Sequence, residues 1–350
     1  MRSLLVSIIV NNYNYGRFLR EAIESALSQT YKPLEVIVVD DGSTDCSRDV
    51  IASFGARILP VFKENGGQAS ALNAGFARSH GDLVMFLDSD DLLLDYAIER
   101  VVSCWEQGFA KVQFHLECVN AEGRRLGVFY PSLLDPSPPS DVRPALLRRG
   151  WYSGPPTSGN VFSRSALTAV LPIDEAKYRL SADGYLHTVT PFYGGVITLQ
   201  EVLGLYRIHG ANAWHQDTIS IRRLHWYIEH GINNMEALCA TAAKFGLLTP
   251  DKKILHLRQF QYARARLVSL RLAPREHPIP GDRLFKLAVS CLESIWRSDE
   301  FKSRRKQALW MAWSLCVALL PMRFARHLIL WWSIPRSFPQ PLRKLFHRLT

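Results

Sequence analysis

The sequence lacks the cysteine patterns that would indicate a zinc site or a disulfide framework. Its six cysteines are scattered over 350 residues, without a Cys-x-x-Cys pair and without a close group of cysteine and histidine. Such scattered cysteines are typical of free thiols in a reducing compartment. Because 47% of the residues are hydrophobic and 21% are charged, the composition predicts a globular protein with a sizeable core.

Two phosphate-binding signatures are also missing. No GxGxxG motif follows the first apolar run, and no GxxxxGK[ST] motif occurs anywhere in the chain. These glycine-rich loops hold the phosphates in dinucleotide-binding enzymes and in P-loop NTPases. Their absence argues against both classes of enzyme.

The N-terminus shows no pattern of a signal peptide. The apolar run at residues 4–10 leads into Asn11-Asn12-Tyr13-Asn14 rather than into a small-residue cleavage site. The sequence therefore predicts a cytoplasmic location.

Acidic residues are scarce in the last third of the chain. Residues 1–215 contain 19 Lys and Arg against 23 Asp and Glu, whereas residues 216–350 contain 23 against 9. A basic region of this size indicates an anionic partner surface, either a membrane or a nucleic acid.

Four short, mostly apolar segments that are typical of strands organise the first part of the chain. They lie at residues 6–10, 34–39, 57–62 and 83–87, and a polar loop and then a helical pattern follow each of them. This alternation predicts a parallel α/β sheet with right-handed crossovers. Because each loop follows a strand, we expect the four loops to gather at one edge of the sheet.

The fourth loop is the most acidic. Asp88, Ser89, Asp90 and Asp91 directly follow a continuous apolar run that is typical of a strand buried on both faces. Three carboxylates this close repel one another, and a divalent cation with oxygen ligands would offset the repulsion. In open α/β sheets, ligands bind at this edge. The alternative is a solvated acidic turn.

Two segments in this order resemble family 2 glycosyltransferases of the GT-A fold. They are VSIIVNNYNYGRFLREAIESALSQTYKPLEVIVVDDGSTD and KENGGQASALNAGFARSHGDLVMFLDSDDLL, and the likeness continues more loosely to about residue 215 through SGNVFSR, SADGYL and LYRIHGAN. The resemblance implies an α/β fold, a Rossmann-like and mostly parallel sheet with flanking helices, to which a C-terminal helical extension is added here. It also implies a metal-dependent, inverting transfer of a sugar from a nucleotide-diphosphate donor to an acceptor hydroxyl, in the synthesis of a cell-surface polysaccharide or glycolipid.

The resemblance also implies an organisation into domains. Residues 1–215 would form the GT-A catalytic domain, with the donor half at about 1–110 and the acceptor half at about 111–215. Residues 216–350 would form a basic helical region. Its helical patterns lie at residues 224–238, 254–272 and 284–296.

On the donor side, the resemblance implies that Asp90 positions Mn²⁺ or Mg²⁺ and that Asp88 faces the ribose of the nucleotide. His209 matches a family position near the diphosphate, with a role towards the metal or the phosphate. The residues implied in binding the nucleotide sugar are Asn11, Tyr13, Asn14, Asp40, Lys63, Asn65, Gln68, Asp88 and Ser89.

On the acceptor side, a general base must take the proton of the attacking hydroxyl. The resemblance assigns this role to Asp183, the only carboxylate in the segment SADGYL. The alternative for Asp183 is a helix N-cap. Gly159 and Asn160 would shape the acceptor pocket, and the acceptor would be a glycan or a lipid-linked glycan.

Two other functions remain as alternatives. A sugar nucleotidyltransferase could share the sheet and the aspartates, but it would carry a Gly-rich, basic loop that residues 11–17 do not resemble. A non-catalytic basic protein that binds membrane or nucleic acid is suggested by the overall charge alone. Because the first 215 residues are acidic and lack a basic and aromatic groove, we expect no nucleic-acid partner.

The basic tail has the composition of a membrane–water interface. Residues 307–322 are uncharged and contain Trp310 and Trp313, and residues 328–334 contain Trp331 and Trp332. Both stretches fall short of the ~20 apolar residues that span a bilayer. Tryptophan beside Arg and Lys predicts a peripheral anchor at the cytoplasmic face, within 307–334. The alternative is that these helices pack on the catalytic domain or on a partner subunit.

Overall fold

The computed structural model describes residues 3–131, 141–210, 212, 220–297 and 303–333. The chain divides into two compact units. The sheet unit comprises Met1–Leu146 and Tyr152–His209, and the helical unit comprises Leu147–Trp151 and Gly210–Thr350. The sequence pattern did not indicate that the five residues 147–151 belong with the later part of the chain.

Within its described residues, the sheet unit contains nine strands in one mixed sheet. The strands are β1 (Val6–Asn12), β2 (Leu34–Asp41), β3 (Leu59–Lys63), β4 (Leu83–Asp88), β5 (Leu92–Leu93), β6 (Phe109–Val119), β7 (Arg125–Tyr130), β8 (Asn160–Ser163) and β9 (Gly195–Arg207). Their order is β3-β2-β1-β4-β8-β6-β9-β5, with β7 beside β6.

The four strands predicted from the apolar runs are parallel neighbours. β1 pairs with β2 on one side and with β4 on the other, and β3 pairs with β2. The apolar residues of β1, β2 and β4 are almost completely buried, as expected for strands covered on both faces. The register places Asn11 opposite Asp88 and Asn12 opposite Asp40. The four strand ends therefore meet at one edge.

The second half of the sheet is not purely parallel. β8 runs antiparallel to both β4 and β6, whereas β6 and β9 are parallel. The sequence pattern predicted two strands at 196–199 and 203–208, and the structure shows the single strand β9 with register shifts against β6.

Helices flank the strands of the sheet unit. The first of them buries Phe18, Leu19, Ala22 and Ile23, as their helical spacing predicted. Asp45 lies just before the second helix and accepts a hydrogen bond from the Ser47 N–H at 3.0 Å. The helices are α1 (Gly16–Leu27), α2 (Ser47–Ala52), α3 (Gln68–Arg78), α4 (Ala97–Ser103), α5 (Arg143–Arg149), which continues into the segment 147–151, α6 (Arg164–Val170) and α7 (Ala182–Val189).

The described part of the helical unit consists of α8 (Ile221–Lys244), α9 (Lys252–Arg258), α10 (Phe260–Leu272), α11 (Leu284–Arg297), α12 (Arg304–Leu319) and α13 (Met322–Ser333). The periodicity over 254–272 predicted one helix, but the chain breaks at Gln259, which has an extended backbone. The buried Gln259 side chain donates to the Gly150 carbonyl at 3.2 Å. A contact distant in sequence thus accounts for the break.

The tail helices α12 and α13 pack against α10 and α11. Val317, Ala318 and Ile329 are buried in this core. The Trp313 Nε1–H donates to the Leu328 carbonyl at 3.1 Å, and the Trp310 ring lies edge-on to Phe260. Among the described residues, no helix is long and apolar enough to cross a bilayer.

Candidate active site

The polar residues at the ends of β1, β2 and β4 contact one another. The Asn11 side chain donates to Asp88 Oδ1 at 2.8 Å, and the Asn12 side chain donates to Asp40 Oδ1 at 3.1 Å. The predicted gathering of the loops at this edge of the sheet is therefore confirmed. Asn12 itself was not among the predicted residues.

Asp40 is a buried hydrogen-bond acceptor at the end of β2. It is fully buried, and it accepts from the Ser43 N–H and from Arg48 Nε, both at 3.3 Å. The loop after β1 carries Tyr13, whose side chain is 46% exposed, and Asn14, whose φ of 58° lies in the left-handed region. An exposed ring and a buried hydrogen-bond acceptor at the same edge of the sheet are groups that suit a nucleobase.

The third loop is held by a different aspartate. Asp41, which the sequence pattern did not single out, accepts from Lys63 Nζ at 2.6 Å and from Asn65 Nδ2 at 3.0 Å. The Gly66 and Gly67 N–H groups also donate to its carboxylate. Lys63 and Asn65 thus hold the loop in place, and their role towards a nucleotide sugar stays a prediction.

Gln68 connects the acidic edge to α7. Its Nε2 donates to Asp88 Oδ1 and to Thr157 Oγ1, each at 3.3 Å, and its Oε1 accepts from the Ala182 N–H at 2.8 Å. One side chain therefore spans the end of β4 and the first turn of α7. This link fixes Asp183, the next residue in α7, relative to the aspartates.

The carboxyl groups of Asp88 and Asp91, at the end of β4, lie in surroundings that disfavour their charged form. Burial, followed by the charge of Asp90, raises the pKa of Asp88 to about 7. Burial raises the pKa of Asp91 well above its ordinary value, although Ser158 Oγ and the Arg207 N–H donate to its carboxylate. The alternative of a fully solvated acidic turn does not fit, because Asp91 is 1% exposed and Asp88 and Asp90 are only partly exposed.

Arg207 and His209 fix Asp90 from the end of β9. The fully buried Arg207 donates from Nε to the Asp90 carbonyl at 2.9 Å, and its Nη2 pairs with Glu21 at 2.6 Å. His209 Nε2 lies 3.0 Å from Asp90 Oδ2. The structure thus brings His209 to the predicted metal residue, and Arg207 is a positioning residue that the sequence did not reveal.

The residues present fit a divalent cation. In the part of the chain that the structure describes, no group of three His, Cys, Asp or Glu side chains is arranged to hold a metal ion. Asp90 and His209 do form a carboxylate and imidazole pair, and these are ligand types that Mn²⁺ accepts. The buried Asn11 Oδ1, beside Asp88, has no hydrogen-bond donor. A positive charge at this edge would relieve the repulsion between the aspartates.

Asp183 lies in the first turn of α7, which begins directly after Ser181, a residue whose φ of 56° is left-handed. Burial raises the pKa of Asp183, while hydrogen bonds from the Gly184 and Thr157 backbones and the charge of Lys111 act in the opposite direction. The charge of Asp183 also contributes to the raised pKa of Asp88. A carboxyl group with a raised pKa close to the acidic edge is suited to act as a general base.

A buried network of Lys111, His187 and the Tyr152 carbonyl lies near Asp183. Lys111 on β6 is fully buried, and burial lowers its pKa well below the ordinary value. Its Nζ donates to His187 Nδ1 at 3.1 Å, and His187 Nε2 donates to the Tyr152 carbonyl at 3.1 Å. This network could not be predicted from the sequence, because a lysine within a strand is usually exposed.

The remaining predicted residues are buried. Asn160 donates to the carbonyls of Pro155, Pro156 and Thr157, so its side chain holds the loop before β8. A side chain at Gly159 would meet Pro155 at 2.4 Å. Ser89 is 3% exposed. The predicted roles of Gly159 and Asn160 in an acceptor pocket, and of Ser89 towards the donor, stay predictions.

The comparison with known protein families identifies the same part of the chain. Residues 7–167 match the model of glycosyl transferase family 2. Residues 7–167 therefore form a family 2 glycosyltransferase domain. A protein of Nostoc sp. described as an uncharacterized glycosyltransferase is 41% identical over 213 residues, which are 59% of this chain and 66% of the relative. An uncharacterized glycosyltransferase of Rickettsia typhi is 46% identical over 101 residues, 29% of this chain and 32% of the relative.

Solved structures confirm the fold. The crystal structure of S. aureus TarS aligns with a TM-score of 0.55 and 14% identity, over 92% of this chain and 53% of TarS. A TarS fragment of residues 1–349 aligns with a TM-score of 0.51 and 16% identity, over 93% and 88%. The predicted GT-A fold with a helical C-terminal region is therefore confirmed.

The raised pKa of Asp88 predicts how the stability of this domain depends on pH. Between its ordinary value of 3.8 and about 7, the folded state binds the Asp88 proton more tightly than the unfolded state does. Ionisation therefore destabilises the fold as the pH rises through this range. In EDTA at about pH 8, Asp88→Asn should raise the free energy of unfolding by an amount on the order of 2 kcal/mol.

At about pH 4 the gain should disappear, because wild-type Asp88 is then protonated. Urea unfolding at the two pH values measures the difference. The exposed Asp95 is the matched control, and Asp95→Asn should change stability little at either pH. An equal effect of Asp88→Asn at both pH values would show that the pKa of Asp88 is not raised.

Proposed function

We propose that this chain is an inverting, metal-dependent glycosyltransferase that moves a sugar from a nucleotide-diphosphate donor to an acceptor hydroxyl. The observation that carries the proposal is the pairing of two kinds of carboxylate. Asp88, Asp90 and Asp91 gather beside β4, and Asp183 lies close to them on another element, tied to the same edge through Gln68. The three aspartates beside β4 suit the binding of a diphosphate with its cation, and Asp183 suits the role of general base.

The donor would bind along the ends of the first strands. The buried Asp40 carboxylate would accept hydrogen bonds from the base or ribose, and the exposed Tyr13 ring would stack on the base. Asp90 and His209 would hold Mn²⁺ or Mg²⁺, with the remaining ligands coming from the donor phosphates. When bound, the cation would offset the negative charge that develops on the leaving diphosphate.

The transfer would be a single displacement at the anomeric carbon of the sugar. The acceptor oxygen forms a bond to this carbon while the bond from the carbon to the diphosphate oxygen breaks. The electron pair leaves with the nucleoside diphosphate, and the proton of the acceptor hydroxyl passes to the Asp183 carboxylate. Attack from the side opposite the leaving group inverts the configuration.

A donor screen tests this function. The full chain is incubated with Mn²⁺ and with each of a panel of uridine- and guanosine-diphosphate sugars, and release of the nucleoside diphosphate is recorded. We expect one sugar to be turned over far faster than the others once a hydroxyl acceptor is present. Release of pyrophosphate from a nucleoside triphosphate and a sugar phosphate would instead identify a nucleotidyltransferase and refute the proposal.

We further propose that the enzyme acts at the cytoplasmic face of a membrane, on a glycan or a lipid-linked glycan, and contributes to a cell-surface polysaccharide or glycolipid. The turn between α12 and α13 supports this. Leu319, Leu320 and Phe324 are exposed there, with 74%, 36% and 50% of their surfaces accessible, and the exposed Arg323 and Arg326 lie beside them. Exposed apolar side chains among arginines suit a membrane–water interface.

Binding to liposomes tests the membrane contact. Serine at all three positions, Leu319, Leu320 and Phe324, should weaken binding to liposomes with anionic lipid by about tenfold, because the apolar contact area is lost. The control is Leu248→Ser, since Leu248 is 95% exposed on the same unit but lies outside the tail. A truncation near residue 297 would not serve, because it removes Val317 and Ile329 from the helical core. If the wild-type chain does not bind liposomes that contain anionic lipid, the proposed membrane contact is refuted.

A further inference from the structure

The helical unit contains a cavity that lies entirely within its own residues. The cavity has a volume of about 690 Å³, and residues of the segment 147–151 and of α9, α10, α11 and the loop before α11 line it. This volume lies in the range of cavities that hold small ligands. Nothing in the proposed transfer reaction uses it.

The charge of the lining is strongly positive. Seven cationic side chains face two acidic ones, Asp282 and Glu293. One cation, the buried Arg266, is matched by Asp282 through bonds of 2.8 and 2.5 Å. The other six are Arg148, Arg149, Lys253, Arg258, Lys286 and Arg297.

Most of these cations are not neutralised by the protein. Among the described residues, no carboxylate forms an ion pair with Arg148, Lys253, Arg258, Lys286 or Arg297. Arg258 instead donates to the Arg148 carbonyl at 2.7 Å, which fixes one wall of the cavity. Like charges that converge on one cavity repel, so an anion bound among them would be favoured. Guanidinium and ammonium groups are the usual partners of phosphate oxygens.

The most buried residues of the cavity lining are held by hydrogen bonds. Arg266 is 2% exposed and lies between Asp282 and His256, and His277 Nε2 also contacts Asp282 at 2.9 Å. Gln259 is 4% exposed and is fixed by its bond to the Gly150 carbonyl. The exposed cations therefore surround a lining that is already ordered by hydrogen bonds, which lowers the entropic cost of binding.

An exposed apolar face lies directly beside the cationic wall. On α11, the cavity-lining positions Lys286, Ser290, Glu293 and Arg297 recur at helical spacing and share one face. The neighbouring face carries Phe285, Val289 and Trp296, and Phe285 and Trp296 are 79% and 73% exposed. Large aromatic side chains this exposed indicate an apolar partner. Inside the cavity, Trp151, Ile254 and Phe260 add further apolar surface.

We infer that this cavity is a binding site for a lipid that carries a phosphate group. The phosphate would lie among the lysines and arginines of the cavity, and the apolar chain would lie along Phe285, Val289 and Trp296. A free phosphate or diphosphate carries the same kind of charge, but it has no apolar group that could contact Phe285, Val289 and Trp296. The site is separate from the transfer reaction, so its test does not depend on a donor or on turnover.

Calorimetry with two soluble probes tests the site on the full chain. The probes are dihexanoyl phosphatidic acid, below its micelle concentration, and inorganic pyrophosphate. We expect saturable binding of one lipid per chain, and Lys253→Glu with Lys286→Glu should weaken it by about tenfold or more, since two exposed cations become anions. Lys244→Glu is the matched control, because Lys244 is exposed in the last turn of α8 and does not line the cavity.

A second variant distinguishes the lipid from free phosphate. Phe285→Ser with Trp296→Ser should weaken lipid binding several-fold and leave the weaker binding of pyrophosphate unchanged. Because these side chains are exposed, the thermal midpoints of all variants should stay near that of the wild type. The inference is overturned if the wild type shows no saturable lipid binding or if Lys244→Glu loses as much affinity as the cavity variant. It is equally overturned if pyrophosphate binds as tightly as the lipid.

Discussion

Asp90→Asn should abolish sugar transfer while leaving the fold intact. Asp90 contacts His209 at the edge of the sheet and does not fill the apolar core, so the loss of stability should be small. Removing one electrostatic stabiliser of a developing charge typically costs about 10²–10³ in rate. The measurement is the turnover number of wild type and variant at saturating donor, with circular dichroism to confirm the fold.

Chelation should reproduce this effect in the wild type. EDTA should remove activity, and either Mn²⁺ or Mg²⁺ should restore it, whereas Asp90→Asn should not recover at the same metal concentration. Asp95→Asn is the matched control, because Asp95 is exposed five residues further along the chain. Full activity of Asp90→Asn in the presence of EDTA would refute the proposed role of Asp90.

Asp183→Asn should remove turnover without removing donor binding. The amide keeps the size of the side chain but cannot take the proton of the acceptor hydroxyl, and loss of a general base typically costs about 10²–10⁴ in rate. Because Asp183 is proposed to act on the acceptor, the affinity for the nucleotide sugar should stay within about twofold. Calorimetry with the donor, beside the transfer rate, measures both quantities.

Gln68→Ala provides the comparison for this experiment. Gln68 contacts Asp88 and the first turn of α7, so its loss should disturb both the donor side and the base. We therefore expect Gln68→Ala to lower affinity and rate together, and Asp183→Asn to lower the rate alone. If donor affinity falls in Asp183→Asn as far as the rate does, Asp183 has a structural or donor-binding role instead.

The donor edge could be predicted because its signals are local. Each of the first four strands is mostly apolar and ends in polar residues, and parallel strands place those ends together. The bond between Asn11 and Asp88 follows from their register in neighbouring strands. For the same reason the helical spacing of Phe18, Leu19 and Ala22 identified α1.

Contacts between residues distant in sequence could not be predicted in this way. Gln68 bonds to the backbone of Ala182, 114 positions later, and Arg207 bonds to Asp90 across 117 positions. Neither residue type indicates such a partner in one sequence. Lys111 was missed because its burial depends on the packing of β6 against α7, and the break at Gln259 depends on a bond to Gly150.

The composition of the tail is compatible both with a membrane interface and with packing inside the helical unit. Trp310 and Trp313 suggested an interface with a membrane, and in the structure both rings pack within the helical unit. Aromatic side chains suit either environment, because burial in a protein core and burial in a lipid interface remove similar apolar surface from water. The exposed side chains that would meet a membrane, such as Leu319 and Phe324, could be identified only once the helices were packed.

The most direct test of the proposed function is the binding of a nucleoside diphosphate with and without a divalent cation. Calorimetry is performed on the full chain with uridine or guanosine diphosphate, in Mn²⁺ and in EDTA. The proposed site predicts one nucleotide per chain, at least about tenfold tighter in Mn²⁺, and no such gain in Asp90→Asn. Equal affinity in Mn²⁺ and in EDTA, or a full gain in the variant, would contradict a metal-assisted diphosphate site at the end of β4.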